Sequence, residues 1–333
     1  VTSRRPRAVV DADGWAGRHV VVAGGAGFLG SHVCEALLHR GATVTCLDNQ
    51  VTGSVANVAG LLGHERFHLE HCDVAGELPA LEPAHVVLHL ASVASPVAYL
   101  RMPVETLLSG SVGTLNLLRR ASDDGSRFVF TSTSEVYGDP EVHPQPESYW
   151  GHVNPVGPRA VYDESKRFGE AAVMGARAAW GVDAGILRLF NTYGPRMALD
   201  DGRVVPTFID QADRGEPLTV AGDGTQTRSL CFVDDTVRAI LTMVAASSEG
   251  PINVGHPHEL TVLELAHLVL ELTGSRSSIR HVPAPQDDPQ RRNPVIDRAR
   301  EELGWEPVVP LREGLQRTIA WYREQADADR LNA

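Results

Sequence analysis

His19-Val-Val-Val-Ala-Gly-Gly-Ala-Gly-Phe-Leu-Gly30 runs a short apolar strand straight into a glycine loop. Beyond the loop, Phe28, Leu29, His32, Val33, Leu37 and Leu38 fall on one helical stripe, and Gly41 is a stop signal. The loop satisfies G-x-G-x-x-G from Gly25 and G-x-x-G-x-x-G from Gly24. Its glycines permit a tight turn and close backbone approach to a pyrophosphate. The helix start supplies unpaired N–H groups and the positive end of a dipole. Gly24, Gly27, Phe28, Leu29 and Gly30 are therefore cofactor candidates. A second strand, Thr43–Leu47, ends at Asp48, with Asn49 beside it, 23 residues past Gly25. A carboxylate there hydrogen-bonds an adenosine ribose and repels a 2′-phosphate, which favours NAD over NADP. A loop cap is the alternative use of Asp48.

The pattern then repeats. Strands are predicted at Arg66–Glu70, His85–Leu90, Arg127–Thr131 and Ala184–Leu189, with helices between them, notably Val104–Ser122 and Ala160–Trp180. Alternating strands and helices give an α/β fold with a doubly wound parallel sheet. Asp73-Val74 and Leu90-Ala91-Ser92 follow the third and fourth strands, where a bound cofactor would pass. After about residue 190, Pro and Gly become frequent and strands short. This reads as an NAD-binding unit over 17–190 and a smaller substrate lobe over 191–325. A helical stretch at Phe232–Ala246 and a strand at Pro251–Val254 suggest that 230–256 return to the first unit. Residues 1–16 read as a loose tail.

The 333 residues are 43% hydrophobic and carry a net charge of −12, which argues against nucleic acid or an anionic membrane as partner. The chain contains no apolar run of membrane-spanning length and no signal-peptide pattern at its start. Cys34, Cys46, Cys72 and Cys231 are scattered, as suits reduced thiols in the cytoplasm. The 14 histidines show no metal-ligand spacing, so no metal is expected.

The chain's only lysine is Lys166, one helical turn after Tyr162 in Tyr162-Asp-Glu-Ser-Lys166. A compact ammonium can lower a neighbouring phenol's pKa and still reach a ribose hydroxyl, which a broad, permanently charged guanidinium does less well. The strand Arg127-Phe-Val-Phe-Thr-Ser-Thr-Ser-Glu135 ends in hydroxyls and a carboxylate. Ligands of open α/β sheets sit at the carboxyl ends of strands, so Thr133, Ser134 and Glu135 face the substrate region.

Glycine loop, strand-end hydroxyl and Tyr-x-x-x-Lys together resemble the extended short-chain dehydrogenase/reductase family, most closely its UDP-glucuronate-decarboxylating branch. The resemblance runs from about His19 to Trp321. It is most specific over Ser132 to Arg167, which opens Ser132-Thr-Ser-Glu-Val-Tyr-Gly138 and closes Asn154-Pro-Val-Gly-Pro-Arg-Ala-Val-Tyr-Asp-Glu-Ser-Lys-Arg167. Phe190-Asn-Thr-Tyr-Gly-Pro-Arg-Met197, Asp201-Gly-Arg-Val-Val205, Gln226-Thr-Arg228, Asp287-Asp-Pro-Gln-Arg-Arg292 and Leu303-Gly-Trp-Glu-Pro307 extend it. It implies conversion of UDP-glucuronate to UDP-xylose with NAD and no net redox change. Tyr162, helped by Lys166 and Thr133, would take the 4-hydroxyl proton. Loss of CO₂ from the 4-keto acid would follow, with Glu135 and Arg292 serving reprotonation of C5. Arg292 stands among Arg291, Arg298 and Arg300, where a solvated charge is the alternative.

For the substrate, the resemblance implies Asn191 and Arg228 at the diphosphate, with Arg203 and Gln226 as further candidates. Ser134 lies beside the sugar, where dehydratases of the family carry an acidic Asp. Tyr99 and Arg159 would approach the sugar carboxylate, with packing or surface roles as the alternative. Three positions depart from the pattern: Gly110 for Asn, Ala221 for an aromatic residue and Val93 for Pro. The family also implies a homodimer built on Val104–Ser122 and Ala160–Trp180. A UDP-sugar 4-epimerase, which would release no CO₂, is the main competing reading; a silent NAD-binding regulator is another.

Overall fold

The computed structural model describes residues 14–284 and 290–332. Six strands run through the first part of the chain, with helices between most of them but only a 3-10 turn between the second and third and no helix between the third and fourth: β1 (His19–Ala23), β2 (Thr43–Asp48), β3 (Phe67–His71), β4 (Val86–His89), β5 (Arg127–Thr133) and β6 (Asp183–Leu189). The helices are α1 (Phe28–His39), α2 (Pro96–Arg101), α3 (Pro103–Leu108), α4 (Thr114–Asp124) and α5 (Ala160–Trp180). The strands read as near-continuous apolar runs because helices cover both faces. Val33 and Leu37 of α1 lie on one face, whereas Leu117 and Leu118 of α4 and Val173 of α5 pack on the other.

The second part is built of short pieces. They are β7 (Thr192–Tyr193), α6 (Val204–Asp213), β8 (Leu218–Ala221), β9 (Thr227–Ser229), β10 (Cys231–Phe232) and α7 (Val233–Ala245). Then come β11 (Ile252–Val254), β12 (Glu259–Thr261), α8 (Val262–Thr273), β13 (Ile279–Val282), α9 (Asp297–Leu303) and α10 (Leu311–Asn332). Strand β11 pairs in parallel with β6, and α7 packs beside α1. The main sheet is thus seven-stranded and parallel, in the order β11-β6-β5-β4-β1-β2-β3. Its order reverses between β1 and β4, which opens a crevice at their carboxyl ends. Two-stranded pairs β8–β13 and β9–β12 form the smaller C-terminal lobe over one side of that crevice.

Two expectations change. The predicted helix Val104–Ser122 is interrupted: a π-helical turn at Ser109–Gly113 separates α3 from α4. Gly110 and Gly113 weaken helix propensity there, and both pack tightly, against Ser165 and Val74. Trp15, assigned to a loose tail, is 2% exposed and belongs to the core. Residues 1–13 of that tail lie outside the described residues, as do Asp287, Asp288 and Pro289 of the Asp287–Arg292 motif.

Candidate active site

The crevice is a continuous cleft of about 1180 Å³, and every cofactor, substrate and catalytic candidate named above lines it. At one end the glycine loop is packed too closely for side chains. A Cβ on Gly24 would lie 2.6 Å from the Ala91 nitrogen, and one on Gly30 would run into the Gly24 carbonyl. No side chain caps the start of α1, so its first amides remain available to a pyrophosphate. These features fit NAD. Asp48, at the end of β2, accepts from Ala26 N–H at 2.9 Å and from Gln50 N–H at 2.7 Å. It therefore braces the glycine loop, and the remaining lone pairs of its carboxylate can still accept from a ribose.

The centre of the cleft joins β5 to the first turns of α5. Tyr162 is buried, and its ring stacks on Tyr99 with centroids 5.4 Å apart and planes within 4°. Burial pushes its phenol up to about 12, against the pull of the adjacent Thr133 side chain and the Arg203 charge. Lys166 is buried too, which lowers its ammonium to about 7. Its Nζ donates to the Thr131 carbonyl at 2.9 Å and lies 5.1 Å from the Phe130 ring centroid and 6.0 Å from that of Tyr162. The lysine thus stands ready beneath the phenol, but burial of the protein groups alone raises Tyr162 rather than lowering it. Lowering it would take additional positive charge in the cleft.

Glu135 lies two residues beyond Thr133, whose hydroxyl accepts from the Glu135 N–H at 3.2 Å. Two arginines from distant segments converge on its carboxylate. Arg159 donates to Oε2 at 2.6 Å; Arg292 donates to Oε2 at 2.6 Å and also to Oε1. Burial would raise this carboxyl, but the Arg292 and Arg159 guanidiniums outweigh it and hold it well below the usual carboxylate range. Arg292 is itself buried, so it is no solvated charge.

Asp163, not singled out from the sequence, is buried beside this cluster. Desolvation and the Glu135 charge push its carboxyl up to about 7. Its position after a motif tyrosine carried no signal, because its state is set by residues far away in sequence.

The substrate candidates of the C-terminal lobe complete the wall. Arg203 donates to the Ala94 carbonyl at 2.8 Å and pairs with Asp201 at 3.1 Å, fixing the loop after β4. Gln226 donates to the Ala221 carbonyl at 2.8 Å, which bridges β8 and β9 across the position that lacks an aromatic side chain. Arg228 donates to the Thr227 carbonyl at 2.8 Å. Among the described residues, no cluster of three His, Cys, Asp or Glu side chains could hold a metal ion.

A parallel sheet with a glycine-loop crevice and a Tyr-Lys pair at its centre defines the class. The chain belongs to the NAD dependent epimerase/dehydratase family, whose model matches residues 20–255. Among its relatives, UDP-glucuronic acid decarboxylase 1 of Danio rerio is 48% identical over 314 residues, 93% of this chain and 74% of that protein. UDP-glucuronic acid decarboxylase 3 of Arabidopsis thaliana is 49% identical over 297 residues, covering 89% of this chain and 86% of that one. Among solved structures, UDP-glucuronic acid 4-epimerase from Bacillus cereus, in complex with UDP-glucuronic acid and NAD, superposes with a TM-score of 0.83. It shares 25% identity over 92% of this chain and 99% of that one.

Proposed function

We infer that this protein is an NAD-dependent UDP-glucuronate decarboxylase that forms UDP-xylose. The observation that carries this reading is the cluster on Glu135. Two guanidiniums, Arg159 and Arg292, converge on the Glu135 carboxylate beside Tyr162. Guanidinium forks there suit a sugar that itself carries a carboxylate better than a neutral hexose.

Tyr162 as phenolate takes the proton of the 4-hydroxyl, and Thr133 hydrogen-bonds the same oxygen. NAD, held by the glycine loop, the start of α1 and Asp48, would supply the hydride acceptor and donor for C4 and the positive charge that lowers the Tyr162 phenol. The C5 carboxylate is then a β-keto acid. Its C5–C6 bond breaks, CO₂ leaves, and the electron pair moves to the C4 oxygen as an enolate. After CO₂ leaves, the negative charge lies on the enolate, and the Arg159 and Arg292 guanidiniums beside it stabilise that charge. Glu135, held ionised, orients a proton-bearing water toward C5 rather than donating its own proton. Asn191 and Arg228 would hold the diphosphate, the latter through a fork that suits phosphate oxygens.

The test is purified protein with UDP-glucuronate and no added reductant. Release of CO₂ and a UDP-pentose is the expected result. An unchanged mass with inverted C4 would transfer the protein to the epimerases.

A homodimer also belongs to this proposal. Val104, Leu107 and Leu108 of α3, Val112 of the π turn, and Phe168 and Met174 of α5 are exposed on neighbouring segments. Their spacing suits an apolar face that a second copy would cover. Sedimentation at micromolar concentration should give twice the 35.9 kDa chain mass; a monomer would remove the idea. No helix of the described residues is long and apolar enough to cross a membrane, and the four cysteines are buried free thiols, which suits a reducing cytoplasm.

A further inference from the structure

Gly110 is buried in the π turn between α3 and α4, pressed against α5. A Cβ there would lie 2.5 Å from the Cβ of Ser165, 2.8 Å from its Oγ and 3.1 Å from its carbonyl oxygen. The first of these is fixed to the backbone, so no rotamer change relieves the contact. Ser165 is itself buried between Tyr162 and Lys166, and its hydroxyl donates to the Tyr162 carbonyl at 2.8 Å.

The π turn cannot easily retreat. Thr114 Oγ1 donates to the Gly110 carbonyl at 2.7 Å, and His89 Nε2 lies 3.0 Å from the same Oγ1. With the Thr114 proton committed to Gly110, His89 donates from Nε2. Burial, with a smaller effect from the Lys166 charge, takes the imidazole down to about 3, so it stays neutral. His89 also packs on Phe130, with centroids 5.3 Å apart, and Lys166 Nζ lies over that same ring. A buried chain from β4 thus fixes the turn from behind, while Ser165 meets it in front.

We propose that Ser165 is a positioning residue for Tyr162 and Lys166, and that its seating depends on the absence of a side chain at Gly110. The two positions share the space of one side chain, and here that side chain is carried by α5. The departure at Gly110 is therefore compensated rather than a defect. This inference rests on Tyr162 and Lys166 acting as proposed above.

The test measures CO₂ release from UDP-glucuronate by the full chain and by Gly110→Asn, Ser165→Gly and the double variant. Gly110→Asn should lower kcat about tenfold or more, leave KM within about twofold, and move the acidic limb of the kcat–pH profile upward. Ser165→Gly in that background should restore most of the loss, as expected of sites in contact. Wild-type kcat and pH limb in Gly110→Asn would overturn the proposal, as would a folded double variant no better than the single. Thermal melting and far-UV circular dichroism check folding. Should Gly110→Asn not fold, Gly110→Ala carries the same Cβ with less bulk, and an unchanged kcat there overturns it equally. A wild-type protein that releases no CO₂ would instead sink the functional reading.

Discussion

Tyr162→Phe is expected to reduce kcat for CO₂ release by about 10³-fold, the scale of a lost general base. The ring should hold its place, because its stacking on Tyr99 at 5.4 Å needs no hydroxyl. What disappears is the oxygen proposed to take the 4-hydroxyl proton. The pH dependence follows with a definite sign. With the phenolate as the proposed active form, wild-type activity should fall as pH falls through the phenol's pKa in the loaded enzyme. That pKa must lie below the value of about 12 set by burial in the protein alone. The residual activity of Tyr162→Phe should lack this acidic limb. The measurement is a kcat–pH profile for both proteins, with melting curves to confirm the fold. A variant within tenfold of wild type, or one that keeps the limb, would remove Tyr162 from its role.

The second large effect is expected at Arg292. Arg292→Met should lower kcat/KM for UDP-glucuronate about 10³-fold, or ~4 kcal/mol, because a buried charge pair loses one partner. Two consequences combine. The sugar carboxylate loses a guanidinium partner, and the enolate left by CO₂ loses part of its stabilisation. Arg159→Met should cost less, since Arg159 makes one bond to Glu135 where Arg292 makes two. Release of a 4-keto nucleotide sugar by Arg292→Met, seen by mass spectrometry, would place the lesion after C4 oxidation. An Arg292→Met enzyme within tenfold of wild type, or one less affected than Arg159→Met, would sink the charge argument.

The parts of this site that could be read from the sequence are those held by one local stretch. The glycine loop and Asp48 are separated by a single helix and strand, and Tyr162 and Lys166 by a single turn. Thr133, Ser134 and Glu135 are simply the end of a strand, and strand ends in this fold point one way. The ion pairs on Glu135 were different: Arg292 is 157 residues away, and nothing local says that it turns inward. The raised carboxyl of Asp163 depends on those same distant charges. The π turn escaped because residues 104–122 have a helical pattern on either side of it. Only packing against α5 and Val74 reveals where the extra residue is taken up. Trp15 escaped because an isolated aromatic flanked by Gly14, Ala16 and Gly17 carries no period.

The pairing of β11 with β6 bears on how the chain is made. During synthesis, β1 to β6 emerge first and can form most of the sheet, but β6 then presents an unpaired edge. It stays unpaired until Ile252–Val254 arrive, after α6, α7 and four short strands have been produced. An open parallel edge is prone to pairing with other chains. A nascent chain stalled before Ile252 would therefore be exposed to aggregation. Truncation near residue 190, although it keeps the glycine loop, Tyr162 and Lys166, should leave an incomplete sheet rather than a small working cofactor-binding unit.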